Sequence, residues 1–374
     1  MHLVSLSIVD FRNIVNVEIQ PDATGTTVIT GVNGAGKTSI LEAVDYLASL
    51  QSFRGSPKES LVRRGTDRSI IRGETLVDGR SITIEAEISS SGRSRTMVNR
   101  QNVRRRGDLH EAIRTTVFSP EDIGVVRSGP GDRRHFLDET LAVVDPKAAR
   151  SVEEVERILR QRGALLRRNG RNLSAEVATT LDVWDARLDE AGTALVEARE
   201  ALVDQLEPAT EAHYSRLAGR ETVVGMDYRR SWTGRLLDAL ADSRRRDLER
   251  GVSLVGPHRD ELDLSLDDLP SRTHASQGEQ RSLALALQLA AHQLATERLG
   301  SAPVLLLDDV FSELDPFRSK ALLAGLPPGQ TLLTTALPAP PEVEAAKVYT
   351  VSAGGRVEPV AGETPDPDRD ADRR

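Results

Sequence analysis

Cysteine is absent from the 374 residues. That excludes a disulfide framework, a thiol nucleophile and a thiolate metal site, and it suits a reducing compartment. Long apolar runs are absent too. No window approaches the roughly 18 consecutive apolar residues of a membrane-spanning helix, and the N-terminus has no basic segment leading through an apolar stretch to a small-residue cleavage site. The expectation is a cytoplasmic chain with no membrane association. Net positive charge is missing as well: the formal value of −8 argues against a uniformly basic nucleic-acid binder. Arginines are nevertheless clustered at Arg93, Arg95, Arg100, Arg104, Arg105 and Arg106, at Arg162, Arg167, Arg168 and Arg171, and at Arg244, Arg245 and Arg246. One such run usually just faces water. Several in one chain point to a polyanion partner.

What is present divides by pattern. Leu6 and Ile8 alternate with Ser7, and Ile82, Ile84, Ala86 and Ile88 alternate with Thr83, Glu85 and Glu87, the period of half-buried antiparallel strands. Between them a β-branched strand, Thr27–Thr30, runs into a glycine-rich turn, and Ile40, Ala43, Val44, Leu47 and Leu50 follow at helical spacing. From about Gly131 to Arg250 the chain reads as a charged helical lobe, with glycine breaks at Gly163, Gly170 and Gly192 and no sustained heptads. After Gly251 strands return at Val304–Leu307 and Thr331–Thr335. The expected division is a first α/β segment over residues 1–130, a helical lobe over 131–250, a second α/β segment over 251–362 that completes the first, and a disordered tail over 363–374.

Three segments carry chemistry. Gly31-Val32-Asn33-Gly34-Ala35-Gly36-Lys37-Thr38 matches the phosphate-binding loop G-x-x-x-x-G-K-[ST] and lies between a strand and a helix. Backbone N–H groups from Asn33 to Ser39 are expected to cradle phosphates at a positive helix terminus, with Lys37 on the β- and γ-phosphates of ATP and Thr38 on Mg²⁺. Arginine supplies nearly all the other cations, so a lysine here fits a position that wants a compact point charge. Val304-Leu305-Leu306-Leu307-Asp308-Asp309 is an apolar strand ending in two acids, of Walker B form: Asp308 would hold Mg²⁺, and Asp309 would act on the attacking water. Ser276-Gln277-Gly278-Glu279 precedes an apolar helix, Leu283–Leu294. Alone it is a good helix cap. In this order along the chain it resembles the signature motif of ATP-binding cassette proteins, which implies contact with ATP held by a second subunit.

Shorter pieces narrow the resemblance. Ser312-Glu313-Leu314-Asp315 is similar to a D-loop ending in Asp315, and Thr334-Thr335 lies where a switch loop would be. Phe11-Arg12-Asn13, Ser52-Phe53-Arg54, Phe118-Ser119-Pro120-Glu121-Asp122 and Gly256-Pro257-His258-Arg259-Asp260 resemble the RecF family of SMC/ABC-type ATPases over nearly the whole chain except the tail. The implied fold is α/β, an ABC-type P-loop ATPase domain with a mixed sheet and flanking helices, plus an inserted mainly helical lobe. The implied activity is weak ATP hydrolysis in an ATP-dependent homodimer that clamps double-stranded DNA near gaps and helps RecO and RecR load RecA. Arg104, Arg105, Arg106, Arg167 and Arg168 are the candidate DNA contacts. Two departures stand out. Asp309 occupies a position where many cassette ATPases have glutamate, which implies slow turnover, and no glutamine in Phe118–Asp122 matches a Q-loop. About 240 residues separate the phosphate loop from the signature segment, too many for a transporter ATPase, and they carry no long SMC-type coiled coil. The competing reading is an ABC-type ATPase that gates a protein assembly or transporter without nucleic acid.

Overall fold

The computed structural model describes residues 1–103, 109–170, 172–336, 343–352 and 355–360. Arg104, Arg105, Arg106, Arg171 and the tail 363–374 lie outside the described residues. The fold is mixed α/β, and the chain forms two compact units: residues 1–121 with 301–374, and residues 122–300.

The first unit is built around one buried helix, Lys37–Ser49. Nearly every side chain of this helix is buried, and its buried polar residues Lys37, Ser39, Glu42 and Asp45 are each hydrogen-bonded. Ile40, Leu41, Val44 and Leu47 share a core with Leu3, Ile8, Ile71 and Ile84 of one sheet and with Ile29, Leu306 and Leu332 of another. The first sheet is antiparallel, in the order Ile14–Ile19, His2–Phe11, Arg68–Val77, Arg80–Ser89, Arg95–Val98, Gln101–Asn102. A Cβ on Gly73 would lie 2.7 Å from the Leu47 side chain, so glycine permits the close approach of helix and sheet.

The second sheet runs Arg356–Pro359, Ala345–Ser352, Thr26–Gly31, Thr331–Thr335, Val304–Asp308, Thr115–Phe118, with only the first pair antiparallel. Val304–Asp308 has a parallel neighbour on each side and is buried throughout, which is why its sequence is an unbroken apolar run. The phosphate-loop helix stops at Ser49. Leu50 already has a left-handed φ of 53° and caps the helix through a hydrogen bond to the Tyr46 carbonyl.

The second unit holds the helices Pro130–Val144, Pro146–Asn169, Ala175–Ala218, Leu236–Arg250 and Gln277–Leu299, with an antiparallel sheet of Val224–Arg229, Glu261–Leu266 and Leu269–Pro270. Its limits differ from the expected lobe 131–250. Val224–Arg229, inside that lobe, pairs in full register with Glu261–Leu266 beyond it, and Gln277–Leu299 packs on Ala175–Ala218. These long-range pairings join 251–300 to the helical unit. Two of the expected glycine breaks are also absent. Gly163 and Gly192 lie inside continuous helices, the latter 44 residues and roughly 66 Å long at 1.5 Å per residue. A Cβ on Gly192 would lie 2.9 Å from Leu236 Cδ2 and 3.1 Å from Pro257 Cγ, so this glycine lets its neighbours pack against the helix. Tertiary contact outweighs the roughly 1 kcal/mol that one glycine costs a helix.

Candidate functional site

The glycine-rich turn holds its shape through backbone and side-chain contacts. Gly34 and Gly36 have φ of +79° and +116°, conformations that a side chain would strain. Ala35 N–H closes a turn on the Val32 carbonyl at 3.2 Å. Lys37 is 7% exposed, and its ammonium donates to the carbonyls of Gly31 at 2.8 Å and Val32 at 3.1 Å, so a compact cation sits inside the loop. No side chain among the described residues caps the Lys37–Ser49 helix and its first turn holds no acid, whereas Ser174, Asp145 and Ser276 cap theirs. Uncapped N–H groups at a positive helix end are a fitting cradle for an anion.

The strand Val304–Asp308 brings its last carboxylate to this helix. Asp308 Oδ1 accepts from Thr38 Oγ1 at 2.9 Å and from Thr334 Oγ1 at 2.6 Å. Burial pushes the Asp308 carboxyl above its ordinary value against the lowering effect of those two hydroxyls, and the charges of Glu121 and Asp309 push the same way. Glu121 belongs to the Phe118–Asp122 stretch, so an acid stands near this strand end where no glutamine was found. Asp309 is half-buried with a left-handed φ of 47°. Its N–H donates to the Thr334 carbonyl at 3.1 Å and hydroxyl at 3.0 Å, fixing that conformation. A hydroxyl and a carboxylate side by side offer only oxygen ligands, the donor set of a hard dication such as Mg²⁺. Thr335 is buried beside Thr334 and pairs with Thr30 across the parallel ladder. Asp315 caps the helix Pro316–Gly325, accepting from Arg318 N–H at 2.9 Å, and that bond holds its carboxyl below the usual range.

Ser276, Gln277, Gly278 and Glu279 lie in the second unit, at the N-terminus of Gln277–Leu299. Ser276 Oγ accepts from Glu279 N–H at 3.3 Å and Ser276 N–H donates to Glu279 Oε2 at 2.8 Å, a complete capping box. Ser276 and Gln277 remain exposed. Behind them Gln280 is 5% exposed; its amide donates to the carbonyls of Ser271 and Arg272 and accepts from Arg127 Nε at 2.7 Å. Gly256–Asp260, one of the family-like stretches, ties the second unit together. Asp260 accepts from Tyr228 Oη at 2.7 Å and Ser231 N–H at 2.8 Å, and Arg199 donates to the Pro257 carbonyl at 2.9 Å.

The arginine clusters separate by environment. Arg167, Arg168, Arg245 and Arg246 are exposed, as are Arg93, Arg95 and Arg100. Arg162 has no exposed surface: it pairs with Asp185 and Asp247 at 2.8 Å each, both fully buried. Arg244 is mostly covered and pairs with Asp182 and Asp185. Those two arginines hold helices together and are removed from the surface cluster. Sequence reasoning missed two residues beside the loop. Asn13 bonds to Gly34 and Ser39, and Glu42, 0% exposed, binds Arg12. The only signal for either was the stretch Phe11-Arg12-Asn13.

The chain matches the model of the family described as "RecF/RecN/SMC N terminal domain" over residues 2–331. It is 40% identical over 373 residues to the "DNA replication and repair protein RecF" of Streptomyces avermitilis, covering 95% of this chain and 99% of the relative. The protein of the same name from Frankia alni is 39% identical over 377 residues, with 95% and 98% covered. Among solved structures it is similar to "the recombination mediator protein RecF-ATP in RecFOR pathway", with a TM-score of 0.85, 28% identity, and 96% and 99% of the two chains covered. An Smc head bound to the C-winged helix domain of ScpA superposes with a TM-score of 0.58 over 97% of this chain and 98% of that one; at 14% identity it speaks for the fold alone.

Proposed function

Since the chain belongs to the RecF family of SMC/ABC-type ATPases, we propose that it is an ATP-dependent DNA-binding protein of recombinational repair and replication-fork maintenance. Two copies close on two ATP molecules, clamp duplex DNA near single-strand gaps, help RecO and RecR load RecA, and reopen after slow hydrolysis in the cytoplasm. The observation that carries this reading is the convergence of Thr38, Asp308 and Thr334 beside a lysine-bearing phosphate loop.

Each residue has a role that follows from its position. The loop N–H groups from Asn33 to Ser39 bind phosphate oxygens, and Lys37 adds a compact positive charge at the terminal phosphates. Thr38 and Asp308 would hold Mg²⁺, which neutralises phosphate charge when bound. Asp309, held by Thr334 at the end of the same strand, positions the attacking water. Its shorter side chain reaches less far than a glutamate, which keeps turnover slow. Thr334 connects Asp308 to Asp309 and so can register which nucleotide is present. Ser276 to Glu279 is presented to the ATP of a second copy from an ordered helix end, and Asp315 lines the path between the paired sites. Exposed arginines such as Arg167 and Arg168 supply phosphate contacts to DNA.

The deciding experiment measures oligomeric state and ATP hydrolysis with and without ATP and duplex DNA. The expected outcome is a monomer that dimerises with ATP and hydrolyses faster on DNA. Hydrolysis indifferent to DNA, with no DNA bound in any nucleotide state, would overturn the proposal and favour a gating ATPase that works on proteins alone.

A further inference from the structure

We propose that Asn13 is a positioning residue for the phosphate loop, set in place by the Arg12–Glu42 ion pair; the inference rests on the ATP-site reading above. The strands His2–Phe11 and Ile14–Ile19 are joined by a two-residue turn, closed by the pairing of Phe11 with Ile14. Arg12 sits in that turn at a φ of 54°. Its guanidinium forks onto Glu42, with Nε to Oε2 at 2.8 Å and Nη2 to Oε1 at 2.5 Å, while Nη1 donates to the Ser60 carbonyl at 3.1 Å. Ser52 Oγ adds a further hydrogen bond to Glu42. Glu42 is fully buried on the helix that carries Lys37 and Thr38. A bidentate pair fixes both distance and orientation, so the turn is locked to the helix.

From that turn Asn13 spans the loop. Its Nδ2 donates to the Gly34 carbonyl at 2.9 Å, ahead of Lys37, and its Oδ1 accepts from Ser39 Oγ at 3.0 Å, behind Thr38. A Cβ on Gly36 would come within 3.1 Å of Oδ1 and 3.2 Å of Nδ2, so the amide occupies the space that a side chain at 36 would need. A trans peptide points its carbonyl and N–H in opposite directions. Holding the Gly34 carbonyl therefore sets the plane of the Gly34–Ala35 peptide, whose N–H closes on Val32. Without the amide, the loop would have to be ordered at the moment of binding, and affinity would fall accordingly.

The test compares the full-length parent with Asn13→Ala, Asn13→Asp and Lys37→Met, reading equilibrium binding of a fluorescent ATP analogue, KM against kcat, and the melting temperature without nucleotide. Losing two hydrogen bonds should raise Kd and KM about tenfold, with a much smaller change in kcat and the nucleotide-free melting temperature unchanged. With turnover as slow as the reading above has it, KM tracks Kd. Asn13→Asp keeps the size and the acceptor for Ser39 but sets a carboxylate against the Gly34 carbonyl, so it should bind as weakly as Asn13→Ala. If Asn13→Ala does not fold, the isosteric variant carries the test. Parental Kd and KM in the Asn13 variants overturn the proposal, as does a lowered melting temperature with KM unmoved. A parent that binds no ATP, like Lys37→Met, would bring down the ATP-site reading instead.

Discussion

The Thr38 hydroxyl donates to the Asp308 carboxylate at 2.9 Å, although 270 residues separate them in the chain. The phosphate loop and the acidic strand are thus one site, joined at the oxygen pair that a hard cation would share. Lys37→Met should weaken or abolish nucleotide binding because it removes phosphate charge. Asp309→Asn should bind ATP and stall its hydrolysis, since the cradle is spared. Equilibrium binding and steady-state hydrolysis separate the two, and an Asp309→Asn protein that turns over at the parental rate would remove Asp309 from the water-positioning role.

Composite sites across a symmetric dimer predict complementation. Ser276→Arg should still bind ATP as a monomer but be inactive as a homodimer, because bulk and charge stand where the opposing γ-phosphate docks. Mixed with inactive Lys37→Met, it forms heterodimers in which one site carries both lesions and the other neither. Some hydrolysis should return. Parent-level hydrolysis by Ser276→Arg alone would reject the composite site.

DNA binding in the ATP state should depend steeply on salt. With about six phosphates neutralised, the slope of log K against log salt should be near −5. Replacing exposed Arg167 and Arg168 by alanine should reduce it by about 2. A slope near zero, measured by titration from low to moderate salt, would count against an electrostatic clamp.

Arg162 should behave differently from its neighbours in sequence. Arg162→Met takes the buried cation from Asp247 and leaves Asp185 with Arg244 as its partner, and should destabilise the protein by about 3–5 kcal/mol. Urea unfolding measures the loss. A near-parental midpoint, accompanied by weaker DNA binding, would return Arg162 to the surface cluster.

Acid should destabilise the second unit. Burial lowers His258 and His292 to about 4, each from an ordinary value of 6.5. Between those values the unfolded chain takes up protons that the folded chain refuses. The stability from the two neutral rings is therefore complete above pH 6.5 and drains away as pH falls towards 4, by about 3 kcal/mol for each ring. The urea midpoint followed from pH 7 to 4.5 should drop, and His292→Gln should flatten the drop. A pH-independent midpoint would show that these imidazoles are not held neutral.

Much of this was legible in the chain because it depends on near neighbours. The apolar run Val304–Leu307 reads as a strand covered on both faces and is one, and Ser276 with Glu279 forms the capping box that their spacing allows. The compact units divide the chain differently from the expected lobe. Gly192 reads as a break in isolation, yet Leu236 and Pro257 pack against it, and residues 251–300 join the helical unit by strand pairing that spans tens of residues.

The sequence alone determined the glycine-rich loop with the helix behind it, the acidic strand and the cap at Ser276, since spacing over a few residues dictates local hydrogen bonding. Only tertiary structure decided that Arg162 is core while Arg167 is surface, and that Asn13 reaches Gly34. Arg162 finds its carboxylates 23 and 85 residues away, and Asn13 meets a loop 21 residues on. A side chain's partner, and with it the choice between water and the interior, is set by which distant segments pack around it.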